Sequence, residues 1–213
     1  MKVIVLDTET TNSLQEPICY DCGWAVIDLD TKETIKTESF AVAEILLDKE
    51  LMSSAYFAEK IPQYWEEIKN GERTLARFST ICRKFREDCR AFGITEVYAH
   101  NMRFDYRSCT LSQRYITSSK YRYFFPYGIK ICDTLKMARQ AFSKEENYIR
   151  FCDENGYRTS RNQLRMTAEI LYRYISGDNE FTEEHKGLAD VLIEKEILFA
   201  CRERGVMNGS LWD

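Results

Sequence analysis

The feature that most constrains the fold is the segment KVIVLDTETT, a short apolar run that leads into two carboxylates, Asp7 and Glu9. A continuous apolar, β-branched run of this length is typical of a central strand that is buried on both faces of a sheet. Residues i and i+2 of a strand share a face, so the two carboxylates lie together at its carboxyl end. Because burying two ionised neighbours is costly, we expect a positive charge between them or water at this end of the strand.

The strand signals along the rest of the chain predict one mixed sheet. Two strands joined by the turn DTK follow the first, with the sequences GWAVIDLD and TIKTESFAV. Two later strands, ITEVYAH and YGIKICD, alternate with helical segments. This order predicts an α/β fold: a mixed five-stranded sheet with helices on both faces, whose first three strands form an antiparallel meander. Residues 42–71 are expected to form a long excursion with short helical pieces over one face.

Apolar residues at helical spacing predict several helices after this excursion. One is predicted over Arg73–Phe92, and another, TLKMARQAF, is expected to be capped by Thr134. The others have the sequences FDYRSCTLSQRYI, NQLRMTAEILYRYI and TEEHKGLADVLIEKEILFACRERG, the last of which is closed by Gly205. Residues 143–162 are expected to form a loop, and the helical sequence NQLRMTAEILYRYI begins at the last of them, Asn162.

Composition limits the partners and the compartment. The 213 residues are 44% hydrophobic, which suits a single domain over residues 1–213 with a sizeable core. The net charge is −4, so a polyanion must be met by a local patch or by bound cations. The apolar runs are too short to span a bilayer, and Met1 leads into the strand without a signal segment. We therefore expect a cytoplasmic protein with no membrane partner.

The eight cysteines are scattered through apolar patterns, which predicts buried, reduced thiols. Cys19 and Cys22 have the CxxC spacing of some metal and redox sites. Because no second pair follows and the chain has two histidines, we do not expect a zinc site there.

Two further segments place acidic residues where a helix follows. In YAHNMRFD a strand end is followed by His100, Asn101, Phe104 and Asp105, and EEHKGLAD contains His185 and Asp190. Taken alone, Asp105 is a helix-start aspartate, His185 a first-turn histidine and Asp190 a polar-face residue. Positions five apart on a helix differ by about 140°, so His185 either precedes the helix or reaches around its first turn.

Together the three segments supply four carboxylates and one histidine that can converge above one edge of a sheet. Clustered carboxylates suit hard cations such as Mg²⁺ or Mn²⁺. Two such ions roughly 3.5–4 Å apart can clamp the attacking and leaving oxygens of a phosphoryl transfer.

In the order and spacing of LDTETT, HNMRFD and HKGLAD, the sequence resembles the DEDDh branch of the DEDD 3′–5′ exonucleases. The resemblance implies a ribonuclease H-like fold and a two-metal mechanism with Mg²⁺ or Mn²⁺. It implies that Asp7, Glu9 and Asp190 hold one ion, that Asp7 and Asp105 hold the second, and that His185 is the general base. Gly187 replaces an alanine that the family often has, a small-for-small change expected to be harmless.

The resemblance also implies a substrate. It predicts hydrolysis of the terminal phosphodiester of a single-stranded 3′ end to a nucleoside 5′-monophosphate, with DNA favoured over RNA. The residues expected to contact the substrate are Thr10, Thr11, Asn101 and Phe104. Basic and aromatic residues that alternate between Arg103 and Lys130 could track a single strand, although at least half of them are expected to be core or solvated. A second basic loop candidate is GYRTSR, and a homodimer is left open.

Two alternatives remain at this point. One is a nucleic-acid-binding module that keeps the fold without catalysis, although such modules usually lose one of the acids. The other is a different metal-dependent phosphoryl enzyme, such as a phosphatase or a nucleotidyltransferase, which would not need His185 paired with Asp190. The identity of the products separates the second alternative from an exonuclease.

Overall fold

The computed structural model describes residues 1–12, 15–55, 57–118 and 123–212. Within these ranges one mixed sheet contains six strands in the order β4-β3-β2-β1-β5-β6. The strands are β1 Lys2–Thr11, β2 Ile18–Asp28, β3 Thr34–Val42, β4 Thr74–Ala76, β5 Glu96–Ala99 and β6 Lys130–Asp133. Strands β1 to β3 form the predicted antiparallel meander, and β5 and β6 extend the sheet in parallel beside β1. The predicted α/β fold class is confirmed.

The sheet has one strand more than the five predicted. Strand β4 pairs in parallel with the end of β3, in the register Phe40↔Thr74. The sequence prediction had placed these residues at the start of a helix over Arg73–Phe92, and that helix begins at Phe78 instead. Three residues are too few to show alternation, so pairing with β3 decides their conformation rather than local pattern.

Helices cover both faces of the sheet. In the described residues they are α1 Ala43–Leu46, α2 Lys49–Met52, α3 Ile61–Asn70, α4 Phe78–Ala91, α5 Met102–Ile116, α6 Thr134–Phe142, α7 Glu146–Glu154, α8 Ala168–Ser176 and α9 Gly187–Glu203. A short 3-10 helix, Ala58–Lys60, precedes α3. The pieces between β3 and β4 are the predicted excursion.

Several helix boundaries differ from the predictions because capping, rather than apolar spacing, sets them. The N-cap of α6 is Asp133, whose carboxylate accepts hydrogen bonds from the Leu135 and Lys136 amides, so the predicted cap, Thr134, is the first helical residue. Helix α8 begins only after Thr167, whose hydroxyl accepts from the Ile170 amide. Helix α7 lies in the segment expected to be a loop.

The apolar residues of β1 divide between two cores. Ile4 and Leu6 pack in the core beneath α4 and α5, whereas Val3 and Val5 pack in the core beneath α6, α8 and α9. This alternation buries both faces of β1, as the apolar run predicted. All eight cysteines are buried and, within the described residues, none forms a disulfide, which agrees with the expected reduced thiols. Across the described ranges, every helix falls short of the length and apolar character that a bilayer crossing needs.

Candidate active site

A β-bulge interrupts the strand pairing at the end of β1. The pairing of β1 with β2 shifts between Glu9 and Thr10, because β2 contributes one extra residue, Tyr20, at this point. Asp7, Glu9 and Thr10 line an open cleft. Thr11, predicted to contact substrate, is instead buried, and its hydroxyl donates to the Leu51 carbonyl. Thr11 is not among the residues that line this cleft, and its contact with substrate stays a prediction.

Asp105 reaches the same cleft from helix α5. It lies in the first turn of α5, as predicted, and is buried. Its Oδ1 accepts hydrogen bonds from the Thr8 amide at 3.1 Å and from the Thr8 hydroxyl at 2.8 Å. These two bonds fix the carboxyl group of α5 against the strand that carries Asp7 and Glu9.

The third segment enters the cleft at the start of α9. His185 precedes the helix and adopts a left-handed backbone conformation with φ 51°, which resolves the two alternatives left by its spacing from Asp190. The Asp190 Oδ2 atom accepts a hydrogen bond of 2.9 Å from the Lys186 amide, which folds the segment back on the first turn. The two side chains can therefore share a centre although they are five residues apart.

Helix α9 crosses β2 at very short range. A Cβ atom at Gly23 would lie 2.4 Å from the Leu188 amide nitrogen, and one at Gly187 would lie 2.8 Å from the Gly23 amide nitrogen. Real Cβ atoms do not approach backbone so closely. This crossing therefore requires glycine at position 187. The sequence analysis had treated Gly187 as a neutral replacement for alanine.

A buried ionic network holds the same end of α9 to β2 and α3. Asp21 accepts hydrogen bonds from the Gly187 amide at 2.9 Å and from the Tyr64 hydroxyl at 2.8 Å, and it forms an ion pair with Arg73. Glu67 bridges Arg73 to Lys186 through contacts of 2.8 and 2.6 Å. Because Lys186 directly follows His185, this network positions the third segment.

The cleft has a volume of about 1650 Å³. Its walls include the predicted substrate contacts Thr10, Asn101 and Phe104, and one far wall is formed by residues 158–168. His100 joins that wall to the end of β5, since its Nε2 lies 2.7 Å from the Met166 carbonyl oxygen. A carbonyl only accepts, so Nε2 carries a proton. Burial also lowers the pKa of His100.

The acids of the cleft have raised pKa values because burial disfavours their charged forms and their neighbours are acids as well. Burial is the larger cause, and it raises the pKa of Glu9 to about 9, of Asp190 to about 8 and of Asp105 to about 7. The pKa of Asp7 is well above its usual range, since Asp105 and Glu194 add repulsion to burial. These acids therefore ionise together more readily when a positive charge lies among them.

The donor set fits a divalent cation. Glu9, His185 and Asp190 each offer a ligand atom, and these atoms lie within 4.8 Å of one another. The Oδ1 atom of Asp190 is buried and makes no hydrogen bond. An oxygen-rich set of this kind suits Mg²⁺ or Mn²⁺ better than softer metals.

His185 stands at the rim of this acidic group. Its ring stacks on Phe57 with centroids 4.1 Å apart and an angle of 12° between the planes. Its side chain is 34% exposed. Burial, followed by the charge of Lys60, lowers its pKa, so the imidazole is neutral near pH 7.

The structure adds site residues that the sequence prediction missed and removes others. Glu194 lines the cleft one helical turn after Asp190, and that i+4 spacing was the available signal. Within the basic and aromatic run of 103–130, Phe104 lines the cleft, whereas Phe124 and Phe125 are core residues. Residues 119–122 of that run lie outside the described residues. The basic wall comes instead from the predicted GYRTSR loop and its surroundings, through Arg139, Arg158 and Arg165.

Solved structures with a similar architecture include several nucleases and exonucleases. The nuclease domain of 3′hExo, a DEDDh family member bound to rAMP, aligns over 98% of this chain and 95% of its own with a TM-score of 0.63 and 11% identity. A full-length 3′-exonuclease aligns over 97% and 84% with a TM-score of 0.63 and 13% identity. E. coli Exonuclease I in complex with a dA16 oligonucleotide aligns over 95% and 41% with a TM-score of 0.55 and 11% identity. These likenesses confirm the ribonuclease H-like fold.

Comparison of the sequence alone gives no relatives: no protein-family model matches the chain, and no curated protein does. The structural likeness at this low identity establishes the fold, so function has to be argued from the site itself.

Proposed function

We propose that this protein is a divalent-metal-dependent 3′–5′ exonuclease that acts on single-stranded nucleic acid, with DNA favoured, and releases nucleoside 5′-monophosphates. One observation carries the proposal: Asp7, Glu9, Asp105, Asp190 and His185 come from three separated segments and reach one open cleft. The fold that brings them together is that of several exonucleases, including a DEDDh family member.

The acids divide into two groups in this proposal. Asp7, Glu9 and Asp190 hold one cation, while Asp7 and Asp105 hold a second. Two such ions, when bound, polarise the scissile phosphate and stabilise the charge that develops on the attacking and leaving oxygens. The protein contributes rigid placement: hydrogen bonds from Thr8 orient Asp105, and the Lys186 amide orients Asp190.

His185 is the general base of this proposal. A general base must be unprotonated before it acts, and the lowered pKa of His185 meets that requirement near neutral pH. The stack on Phe57 and the left-handed backbone restrict where the imidazole can point. The ring therefore accepts the proton of the attacking water from a fixed direction at the rim of the acidic group.

The shape of the cleft supports a polymeric substrate. Its volume exceeds the roughly 300–1,000 Å³ of ordinary small-molecule sites. Thr10, Asn101 and Phe104 lie beside the acids, where the terminal nucleotide would sit, and a ring such as Phe104 can stack on a base. Arg158 and Arg165 line the far wall, where they would contact phosphates further along the strand.

DNA is the favoured polymer of this proposal, whereas the structural neighbours were solved with both polymers: Exonuclease I with dA16 and dT13 oligonucleotides, 3′hExo with rAMP and a 3′-exonuclease with a histone mRNA stem-loop. The test therefore includes both polymers. DNA and RNA oligonucleotides of matched sequence, labelled at either end, are incubated with the protein and Mg²⁺ or Mn²⁺. We expect stepwise shortening from the 3′ end, nucleoside 5′-monophosphates as products, and faster loss of the DNA.

The matched control is Asp7→Asn, which removes the carboxylate shared by both cation groups and should abolish hydrolysis without unfolding the chain. Binding of intact oligonucleotides without cleavage by the wild-type protein would point to a non-catalytic binding module. Release of free phosphate or pyrophosphate would point to a phosphatase or a nucleotidyltransferase.

A further inference from the structure

Glu194 is a carboxylate in a place where its charge has no partner. It lies on α9 one turn after Asp190, it is 2% exposed, and it lines the cleft. Residues close to it on the helix include the core residues Val191, Ile193 and Ile197. A buried carboxylate costs several kcal/mol unless it is paired or well hydrogen-bonded, so this position calls for a physical explanation.

The charged surroundings of Glu194 are acidic. Asp105, Asp190 and Glu183 all raise its pKa beyond the effect of burial, and a hydrogen bond from the His100 amide only partly opposes them. In turn, Glu194 is the second strongest charged neighbour of Asp7, after Asp105 and before Glu9. Glu194 takes part in none of the ion pairs found within the described ranges.

Hydrogen bonding also leaves one carboxylate oxygen of Glu194 unpaired. The Oε2 atom of Glu194 and the Oδ1 atom of Asp190 are both buried and both lack a hydrogen-bond partner. The i+4 spacing places them on one face of α9, and both residues line the cleft. A divalent cation bound in the cleft would pair with both of these buried oxygens.

We propose that Glu194 supplies a further oxygen ligand to the cation site of the cleft, from the same face of α9 as Asp190. The site then has five carboxylates rather than the four found in the sequence motifs. This inference rests on the proposed function only in that the cleft holds divalent cations, and cation binding can be measured without any substrate. Glu194 also ties α9 to the turn after β5 through the His100 amide, so its role as a ligand must be separated from a positioning role.

The experiment is a calorimetric titration of Mn²⁺ into the metal-free full-length chain, with thermal unfolding followed in EDTA and in Mn²⁺. Glu194→Gln keeps the shape and the acceptor for the His100 amide but removes the charge. We expect it to weaken Mn²⁺ binding about 10–100-fold, the range found when a group that supports a metal site is removed. We also expect an unchanged or higher melting temperature in EDTA and a smaller gain on adding Mn²⁺.

The matched control is Glu196→Gln on the same helix, where the carboxylate is 43% exposed and pairs with Lys195. It should bind Mn²⁺ as the wild type does. If Glu194→Gln fails to fold, Glu194→Asp carries the test, since it keeps the charge but withdraws the oxygen and should still weaken binding.

Wild-type affinity and stoichiometry in a folded Glu194 variant would overturn the inference and would leave the exonuclease proposal intact. A wild-type protein that binds Mn²⁺ but degrades no nucleic acid would refute the proposed function, and the assignment of Glu194 would still stand. A wild-type protein that binds no Mn²⁺ would overturn the assignment of Glu194.

Discussion

At the residue scale, the carboxylates of the cleft make the cation-free protein sensitive to pH. The pKa values of Asp105, Asp190 and Glu9 are raised to about 7, 8 and 9 in the folded chain, against about 4 in an unfolded one. At a pH between the unfolded and the folded pKa values, the folded state holds more protons than the unfolded state. Stability is therefore greatest at the acid end of this window and is lost as the pH rises through the folded pKa values.

We accordingly expect the melting temperature in EDTA to fall from about pH 5 to about pH 9, and the fall to be smaller in Mn²⁺, which takes over the role of the protons. Glu9→Gln should flatten the EDTA curve because one of the titrating groups is gone. Differential scanning calorimetry in both conditions checks this expectation. A melting temperature in EDTA that rises over this window would contradict it.

His185 provides a second prediction at this scale. His185→Gln should lower kcat on an oligonucleotide by about 10²–10⁴-fold, the usual contribution of a general base. The pKa of His185 is lowered in the protein without substrate. The midpoint of the acid limb of the wild-type pH–rate profile should therefore lie at a lower pH than the ordinary pKa of histidine. The variant should lose that limb. Mn²⁺ titration serves as the control, and a variant that no longer binds Mn²⁺ would show His185 to be a ligand rather than a base.

Sequence reasoning locates a residue well where its position follows from the end of an element. Asp7 and Glu9 follow from alternation along β1, and Asp105 follows from the start of a helix. The burial of Thr11 could not be predicted, because its hydroxyl donates to the Leu51 carbonyl, a contact with a distant segment that local sequence does not show. Glu194 was missed because an acid that is followed by Lys195 and Glu196 in a helix resembles an ordinary surface residue until its neighbours in space are known.

At the element scale, the start of α9 depends on β2 and α3 rather than on its own sequence. The ionic network around Asp21 and the close crossing of Gly23 with Gly187 together fix this end of the helix. Burial raises the pKa of Asp21 although Arg73 opposes the shift, so desolvation outweighs the attraction of the pair. The network is therefore better understood as positioning α9 than as a net source of stability.

Breaking the network should still be costly, because it leaves a buried charge without its partner. Asp21→Asn should lower the free energy of unfolding by about 3 kcal/mol, at the low end for such pairs since Glu67 still contacts Arg73. It should also weaken Mn²⁺ binding, because Asp190 lies three residues after Gly187, whose amide donates to Asp21. Urea unfolding and Mn²⁺ titration measure the two effects.

The control for this network is Arg83→Ala. This change removes the surface pair of Arg83 with Glu87, whose side chains are 70% and 54% exposed. That change should cost at most about 0.5 kcal/mol. Equal losses in the two variants would contradict the positioning role of Asp21.

Elements with strong periodicity could be predicted closely: α5 was placed to within two residues at its start, and the end of α4 to within one. Strand β4 and helix α7 could not. The three residues of β4 are ordered by pairing with β3, and α7 follows α6 after a break of three residues that offers no clear start signal. The start of α9 was placed too early because Glu183 and Glu184 resemble a first helical turn, whereas tertiary contacts hold them outside the helix.

At the scale of the whole molecule, an acidic chain must attract a polyanion through a small basic area. The net charge is −4, and the arginines that line the cleft are Arg139, Arg158 and Arg165. If these three arginines neutralise one phosphate each, log kcat/KM on single-stranded DNA should fall with log salt with a slope of about −2.

Measuring the rate over a range of KCl concentrations tests this expectation. Arg165→Ala should make the slope shallower by about 0.7. The same change should leave the rate on a dinucleotide almost unaffected, because that substrate is too short to reach the far wall. A slope near zero in the wild type would mean that the strand does not run along this wall.

The eight buried thiols have a practical consequence for following strand entry. Burial raises the pKa of Cys19 to about 11 and that of Cys82, Cys89 and Cys201 to about 12, so little reactive thiolate forms at neutral pH. Maleimide should therefore label the native protein only slowly. A cysteine introduced at Ser160, an exposed residue of the cleft wall, would then accept a fluorophore almost alone, without removal of any native thiol.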